Sequence, residues 1–228
     1  MRSTDQSHKE AATRDRIRIA AVELFAEAGI NGVTTRALAK KAEVNTAAVN
    51  YHFGNKDNLT IEVFRDVARR TAIRRLESLD RVLEQASSKG EKPEIRDIVE
   101  AFIDAYVNED DPKTGVLLAH LVLKHRLEPN DWTRAMVRDE LDPMAKRYIA
   151  ALAMAAPHLN EREVHWRYHI MMGAIQVMLS DAGPDSRMAR LSGGLCDPSD
   201  RNALRSELVA FIVNAFGADM KDNRGNGV

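Results

Sequence analysis

Thr34, Thr35 and Arg36, followed by Asn45, Thr46, Ala47, Asn50, Tyr51, His52 and Lys56, gather in one short stretch the side-chain types that meet DNA. Small and amide-bearing residues let a helix approach base edges in a major groove, where asparagine bonds adenine and methyl groups touch thymine. Hydroxyls, a guanidinium and free backbone N–H groups at the front of a helix suit a phosphate, as do His52 and Lys56 at the other end of the stretch. A second set, Phe102, Tyr106, Leu118, Met154, Trp166, Met171, Met172 and Met178, has the apolar and polarizable character of an adaptable small-molecule pocket. Plain core is the competing reading for every member of that set.

Other chemistry is poorly served. His165 and His169 form an i, i+4 pair with no cysteine pair or acidic cluster nearby to complete a metal site, so neither metal nor cofactor is assigned. Cys196 has no resolving partner, and a bystander thiol in a reducing compartment is the expectation. Arg65, Arg69, Arg70, Arg74 and Arg75 form a basic run whose simplest reading is a solvated helix face. No glycine-rich phosphate loop, G-x-S-x-G elbow or H-E-x-x-H helix is present, which argues against an enzyme without excluding one.

The elements that must position these residues are helices. Apolar spacing is helical nearly throughout, and no stretch alternates as a strand would. Ile17, Ala20, Ala21, Leu24, Phe25 and Ala28 place helix one over 13–28, with Gly29 as its stop signal. Thr34 or Thr35 caps a second helix, and Asn45 or Thr46 opens a third that ends near Phe53. Val44, Ala48, Val49 and Phe53 fall inward on the third helix; Thr46, Ala47, Asn50 and Tyr51 fall outward. Two short helices joined by a tight turn behind a longer support helix make a helix-turn-helix.

A long fourth helix follows from Lys56 to Ser87, with Leu59, Val63, Val67, Ile73, Leu76, Leu79 and Val82 as its stripe. Further helices are expected at 94–108, 114–127, 130–155 with a break at Pro143, 160–182 and 200–216. The segment 183–199 is the longest irregular connection, and the tail after Gly217 frays. The fold class is all-α: a helix-turn-helix domain over 10–58 and a larger helical domain over 59–218.

At 228 residues, with 44% hydrophobic and 29% charged content, the chain can bury a sizeable core without disulfide or zinc staples. The polar N-terminus is no secretory signal, and the longest apolar run, Ile149 to Ala156, is too short to span a bilayer. A cytoplasmic protein with no membrane partner is the expectation. Net charge is −1, but residues 1–60 carry nine Lys and Arg against seven Asp and Glu, so a polyanion would meet the N-terminal part.

The run TTRALAKKAEVNTAAVNYHFGNKDNL, residues 34–59, resembles the N-terminal signature of the TetR family of transcriptional regulators. The match is carried by the threonines opening helix two, Leu38-Ala39, Val44, Ala47, Val49, His52-Phe53, Asn55-Lys56 and Leu59. Two positions depart from the pattern: Glu43 stands where the turn usually has glycine, and Asn50 stands where tyrosine is common, with Tyr51 following. The resemblance implies phosphate contacts from Thr35, His52 and Lys56 and base-side contacts around Thr46, Ala47 and Tyr51. For Tyr51 and His52, closing the small domain's core is the other reading. It also implies a homodimer formed through the last two long helices, a double-stranded operator with dyad symmetry, and repression relieved by a small-molecule inducer. An all-α enzyme or a helical interaction scaffold would account for the length but leaves 34–59 without a reason.

Overall fold

The computed structural model describes residues 2–107, 112–182 and 185–217, and every regular element among them is helical. The chain divides into two compact units, Met1–Ala68 and Arg69–Val228.

The first unit holds α1 (Arg2–Gly32), α2 (Thr35–Lys41), α3 (Thr46–Phe53) and the beginning of α4 (Lys56–Ser88). Helix α1 begins eleven residues before the expected start at Thr13. Residues 8–12, ahead of the expected start, are all exposed, so no apolar stripe marks them in the sequence. Gly29 breaks α1 with φ 67° and ψ 167°, and one more helical turn runs on to Gly32. Ile17, Ala21, Phe25, Leu38, Val49, Phe53, Leu59 and Phe64 form the core, with the rings of Phe25 and Phe64 parallel at 6.2 Å between centroids. Arg14 lies 5.1 Å over the Phe53 ring while its Nε and Nη2 donate to Glu62 of α4. Arg18 donates to Asp66 at 2.6 Å one turn further along. These partly exposed pairs add at most about 1 kcal/mol each, and they fix the rotation of α1 against α4.

The second unit holds the rest of α4, then α5 (Ile95–Val107), α6 (Pro112–Leu127), α7 (Asp131–Met136), α8 (Asp142–Ala155), α9 (Glu161–Ser180), α10 (Arg187–Leu191) and α11 (Arg201–Gly217). Helix α5 is the most buried, with Ile98, Val99, Phe102, Ile103 and Tyr106 all inside, and it packs against α6, α8 and α11. Helix α9 also packs against α6, α8 and α11. Gly115 of α6 lies against the Tyr106 backbone carbonyl so closely that a Cβ there would overlap it.

The break expected at Pro143 falls just before it. A π-helical turn, Val137–Leu141, separates α7 from α8, and Pro143 occupies the first turn of α8. Proline has no N–H and its ring crowds the carbonyl four residues back, so the chain widens by one residue before restarting. The connection 183–199 is less irregular than expected, since it contains α10. Ser186 caps that helix, and Asp181 accepts hydrogen bonds from the Arg187 and Met188 N–H groups and the Ser186 hydroxyl. These three bonds hold the Asp181 carboxyl below its ordinary range. The tail after Gly217 lies outside the described residues.

Candidate nucleic-acid interface

The two short helices owe their ends to side chains. Thr34 Oγ1 accepts from the Ala37 N–H at 3.1 Å and so starts α2, and Asn45 Oδ1 accepts from the Ala48 N–H at 2.7 Å to start α3. Each cap is worth about 1 kcal/mol. Because these oxygens are committed, what Thr34 and Asn45 have left to offer a nucleic acid is the hydroxyl proton and the amide N–H groups.

The turn between the helices closes on Glu43, the described non-glycine residue with positive φ, at 54°. The Val44 N–H reaches back to the Ala39 carbonyl at 2.9 Å, and the Glu43 N–H to Lys40 at 3.3 Å. This is a Schellman closure with glutamate at the left-handed position that glycine normally fills. The sequence departure is therefore met by strain at one residue, not by a different turn.

On α3 the inward and outward faces separate as the spacing predicts. Val49 and Phe53 are buried, and Thr46, Ala47, Asn50 and Tyr51 are exposed. The Tyr51 ring is 74% exposed and meets His52 edge-on at 5.2 Å between centroids. It does not close the core. His52 is half-buried beside Phe53, with 6.4 Å between their ring centroids. Gly54, with φ 75°, then turns the chain, and Asn55 Oδ1 accepts from the Asn58 N–H at 2.8 Å to start α4. That cap was not singled out in the sequence, although an asparagine just before a long apolar stripe is its signal. Lys56 sits half-buried at the front of α4, and Thr35 and Arg36 lie half-buried and exposed in the first turn of α2. Lys40, exposed in the last turn of α2, is a further cation beside the turn, whereas Lys41 is held by Glu23 at 2.7 Å.

The protruding α3, free of core duties on one face and bracketed by Thr35, Arg36, Lys40 and Lys56, has the form of a recognition helix. Comparison with known families agrees. Residues 17–63 match the model of bacterial regulatory proteins of the tetR family, and residues 100–215 match a tetracyclin repressor-like C-terminal domain. The chain belongs to the TetR family. Solved structures similar to this TetR-family chain include the ketosteroid transcriptional regulator of Mycobacterium tuberculosis, with TM-score 0.61, 16% identity, and coverage of 88% of this chain and 93% of that one. A haemolysin II transcriptional regulator (TM-score 0.58, 17% identity, 90% and 97% covered) is also similar. So is a fatty acid degradation regulator from Bacillus halodurans (0.57, 17%, 88% and 94%). At these identities the likeness is one of fold. No curated protein matches.

In the C-terminal unit of this TetR-family regulator, some of the expected pocket residues converge and others do not. Phe102, Tyr106, Leu118, Met171 and Met172 are buried, and Met178 is half-buried. Phe102 stands at the centre of an aromatic group, 6.1 Å from Tyr106, 4.8 Å from Tyr148 and 6.1 Å from Tyr168. Burial pushes the Tyr148 and Tyr168 hydroxyls well above the ordinary phenol range. Trp166 and Met154 require correction. Trp166 is 62% exposed and Met154 is exposed as well, because they occupy the faces of α9 and α8 opposite the buried Tyr168 and Leu152. His169 Nδ1 is 2.8 Å from the His165 carbonyl, an arrangement internal to the helix, and among the described residues no group of three or more His, Cys, Asp or Glu forms a metal site. Cys196 is exposed.

The basic run on α4 also needs correction. Arg69 pairs with Glu140 at 2.9 Å as a surface residue, but Arg75 is only 1% exposed. The buried row along α4 is Val63, Val67, Thr71, Arg75 and Leu79, while Ile73, expected inside, is exposed. Among the described residues no helix is long and apolar enough to cross a membrane.

Proposed function

We propose that this TetR-family protein is a homodimeric repressor that acts in the cytoplasm, binds an inverted-repeat operator through α3, and is released by a small molecule held in its C-terminal unit. It carries out no catalytic step of its own. The observation that carries the DNA reading is the outward face of α3, where Thr46, Ala47, Asn50 and Tyr51 stand exposed above a core-bound Val49 and Phe53. Asn50 and Tyr51 read base edges with Thr46 and Ala47; Thr34, Thr35, Arg36, Asn45, His52 and Lys56 hold the backbone. One short helix reads too few bases for useful specificity, so two copies are needed, one per half-site.

An apolar stripe of α9 supports the dimer. Trp166, Ile170 and Val177 recur along one exposed face, Gly173 lies between them with open space beside it, and Phe211 is exposed on α11, which packs against α9. Large apolar groups left in contiguous rows on a helix face are covered by a partner in most soluble proteins. The same reading returns Trp166 to a role, at the interface instead of in the ligand pocket.

Selection of bound duplexes from a random pool tests the reading. Enriched sequences with dyad symmetry and half-site centres about one helical turn (34–36 Å), or a multiple of it, apart support it. A monomer by sedimentation, together with enriched DNA lacking a dyad, would overturn it.

A further inference from the structure

The most unusual side chain in the C-terminal unit is Arg75. Its guanidinium is sealed among Phe102, Tyr106, Tyr148 and Met144, with the Phe102 and Tyr106 ring centroids 4.1 and 3.8 Å from Cζ. The Tyr148 hydroxyl donates to the Arg75 backbone carbonyl at 2.8 Å, which pins the helix there and leaves the guanidinium itself untouched. Nη1 has only the Met144 sulfur, at 3.8 Å. Nε and Nη2 are buried with no hydrogen-bond partner at all.

Arginine cannot shed its proton to escape such a site, so the charge persists. Ring faces attract the cation but cannot accept its in-plane N–H bonds. A buried cation with unmet donors is strongly unfavourable unless something supplies the acceptors. The two unmet groups are not a random pair. Nε and Nη2 share one edge of the guanidinium and point in parallel, which is the edge that takes both oxygens of a carboxylate. Elsewhere among the described residues that edge is used in this way four times: Arg14 on Glu62, Arg69 on Glu140, Arg138 on Asp139 and Arg205 on Asp104. A second signal lies on α9. Gln176 is fully buried with both amide atoms unpartnered, two helical turns beyond Tyr168 on the stripe that also carries Met172.

We propose that Arg75 is the anchor of a buried ligand site that takes the carboxylate of an otherwise apolar monoanion, with Phe102, Tyr106 and Tyr148 around the head and Gln176 as a further polar contact. A single fork sets the charge at one, and the aromatic and methionine surroundings set the body as hydrophobic. The proposal rests on the reading of this unit as the inducer-binding domain and names the chemical class of that inducer.

The test uses the full-length dimer and a series of probes: butanoate, hexanoate, octanoate, decanoate, phenylacetate and 4-phenylbutanoate at millimolar concentration, each beside its neutral primary amide. Thermal stabilisation and release of the selected operator are measured separately. At least one acid should stabilise the protein, and it should bind roughly ten- to a hundredfold more tightly than its amide. Arg75→Met, which replaces a buried charge by an apolar side chain of similar length, should remain folded by circular dichroism and lose the preference for acid over amide. Arg75→Lys, which keeps the charge without the fork, should lose most of it; if Arg75→Met does not fold, this variant carries the test. Gln176→Leu should weaken binding of acid and amide alike. Acids and amides acting equally, acid preference surviving in the variants, or no acid stabilising the wild type would overturn the assignment. Operator binding then separates the two readings. If the dimer binds its operator while the acids do nothing, only the carboxylate site fails; if acids stabilise a protein that selects no DNA, the regulator reading fails and the site stands.

Discussion

Replacing Glu43 by glycine should stabilise the N-terminal unit. Glu43 holds φ at 54° to complete the closure of α2, with its side chain exposed. The left-handed conformation costs an L-residue about 1–2 kcal/mol through the clash of Cβ with the backbone, and glycine removes that clash. Against this, glycine has more freedom to lose on folding, a cost of roughly 0.4–1 kcal/mol. The net gain is about 0.5–1 kcal/mol, because the Val44 and Glu43 N–H bonds to Ala39 and Lys40 need no side chain at position 43. The assay is native-state hydrogen exchange over residues 17–63, where this gain slows opening roughly two- to fivefold. Glu43→Ala is the control. It removes the carboxylate and keeps Cβ, so its opening should stay close to wild type, whereas both variants should bind DNA more tightly at low salt, having lost one negative charge beside the turn. If Glu43→Ala stabilised as much as Glu43→Gly, charge and not backbone strain would be the cause. If Glu43→Gly destabilised, the account of the turn would be wrong.

Lys56→Ala should weaken binding to all duplexes and reduce the salt slope by about one, whereas Asn50→Ala should cost roughly 1–3 kcal/mol at one base position and leave the slope alone; titrations at several salt concentrations on operator variants distinguish them. Trp166→Glu with Val177→Glu places charges on the exposed stripe of α9, and sedimentation velocity should show a monomer of unchanged helicity. Burial holds the His120 imidazole below its ordinary pKa of about 6.5, so the folded protein binds fewer protons there than the unfolded chain. Stability should therefore fall as the pH drops through about 6.5, and denaturation midpoints of His120→Gln should show a shallower fall over that range.

The N-terminal unit was legible because its determinants are local. Asn45 opens α3, Gly54 ends it, and the alternation of Val49 and Phe53 with Asn50 and Tyr51 fixes which face is free. Each of those readings needs only residues within one or two turns. The early start of α1 was hidden for the complementary reason, since a helical stretch exposed as residues 8–12 are leaves no periodic trace. The helices α5 to α9 and α11 were found within a few residues of their bounds, but α10 was missed because five residues held by Ser186 and the distant Asp181 carry too short a pattern.

What local pattern does not reveal is which of several apolar rows on a long helix faces its own unit. Helix α9 carries two such rows, one through Tyr168, Met172 and Ile175, the other through Trp166, Ile170 and Val177, and only the first is buried within the chain. Hydrophobicity alone ranks Trp166 as the better core candidate, so the ligand-pocket set drew from both rows. Helix α4 errs the opposite way. The strict four-residue row from Val63 to Leu79 passes through Arg75, whose charge suggests solvent, while Ile73 lies off the row and is exposed. Phase along the helix would have placed Arg75 inside, had residue type not outweighed it. The conflict is itself informative: a sequence that sets a guanidinium in a core row, covers its faces with Phe102 and Tyr106 and leaves its carboxylate-binding edge unmet has kept a stability cost in the folded chain. Such costs concentrate where binding later removes them, which is the ground for proposing a ligand at the residue least compatible with the hydrophobic pattern.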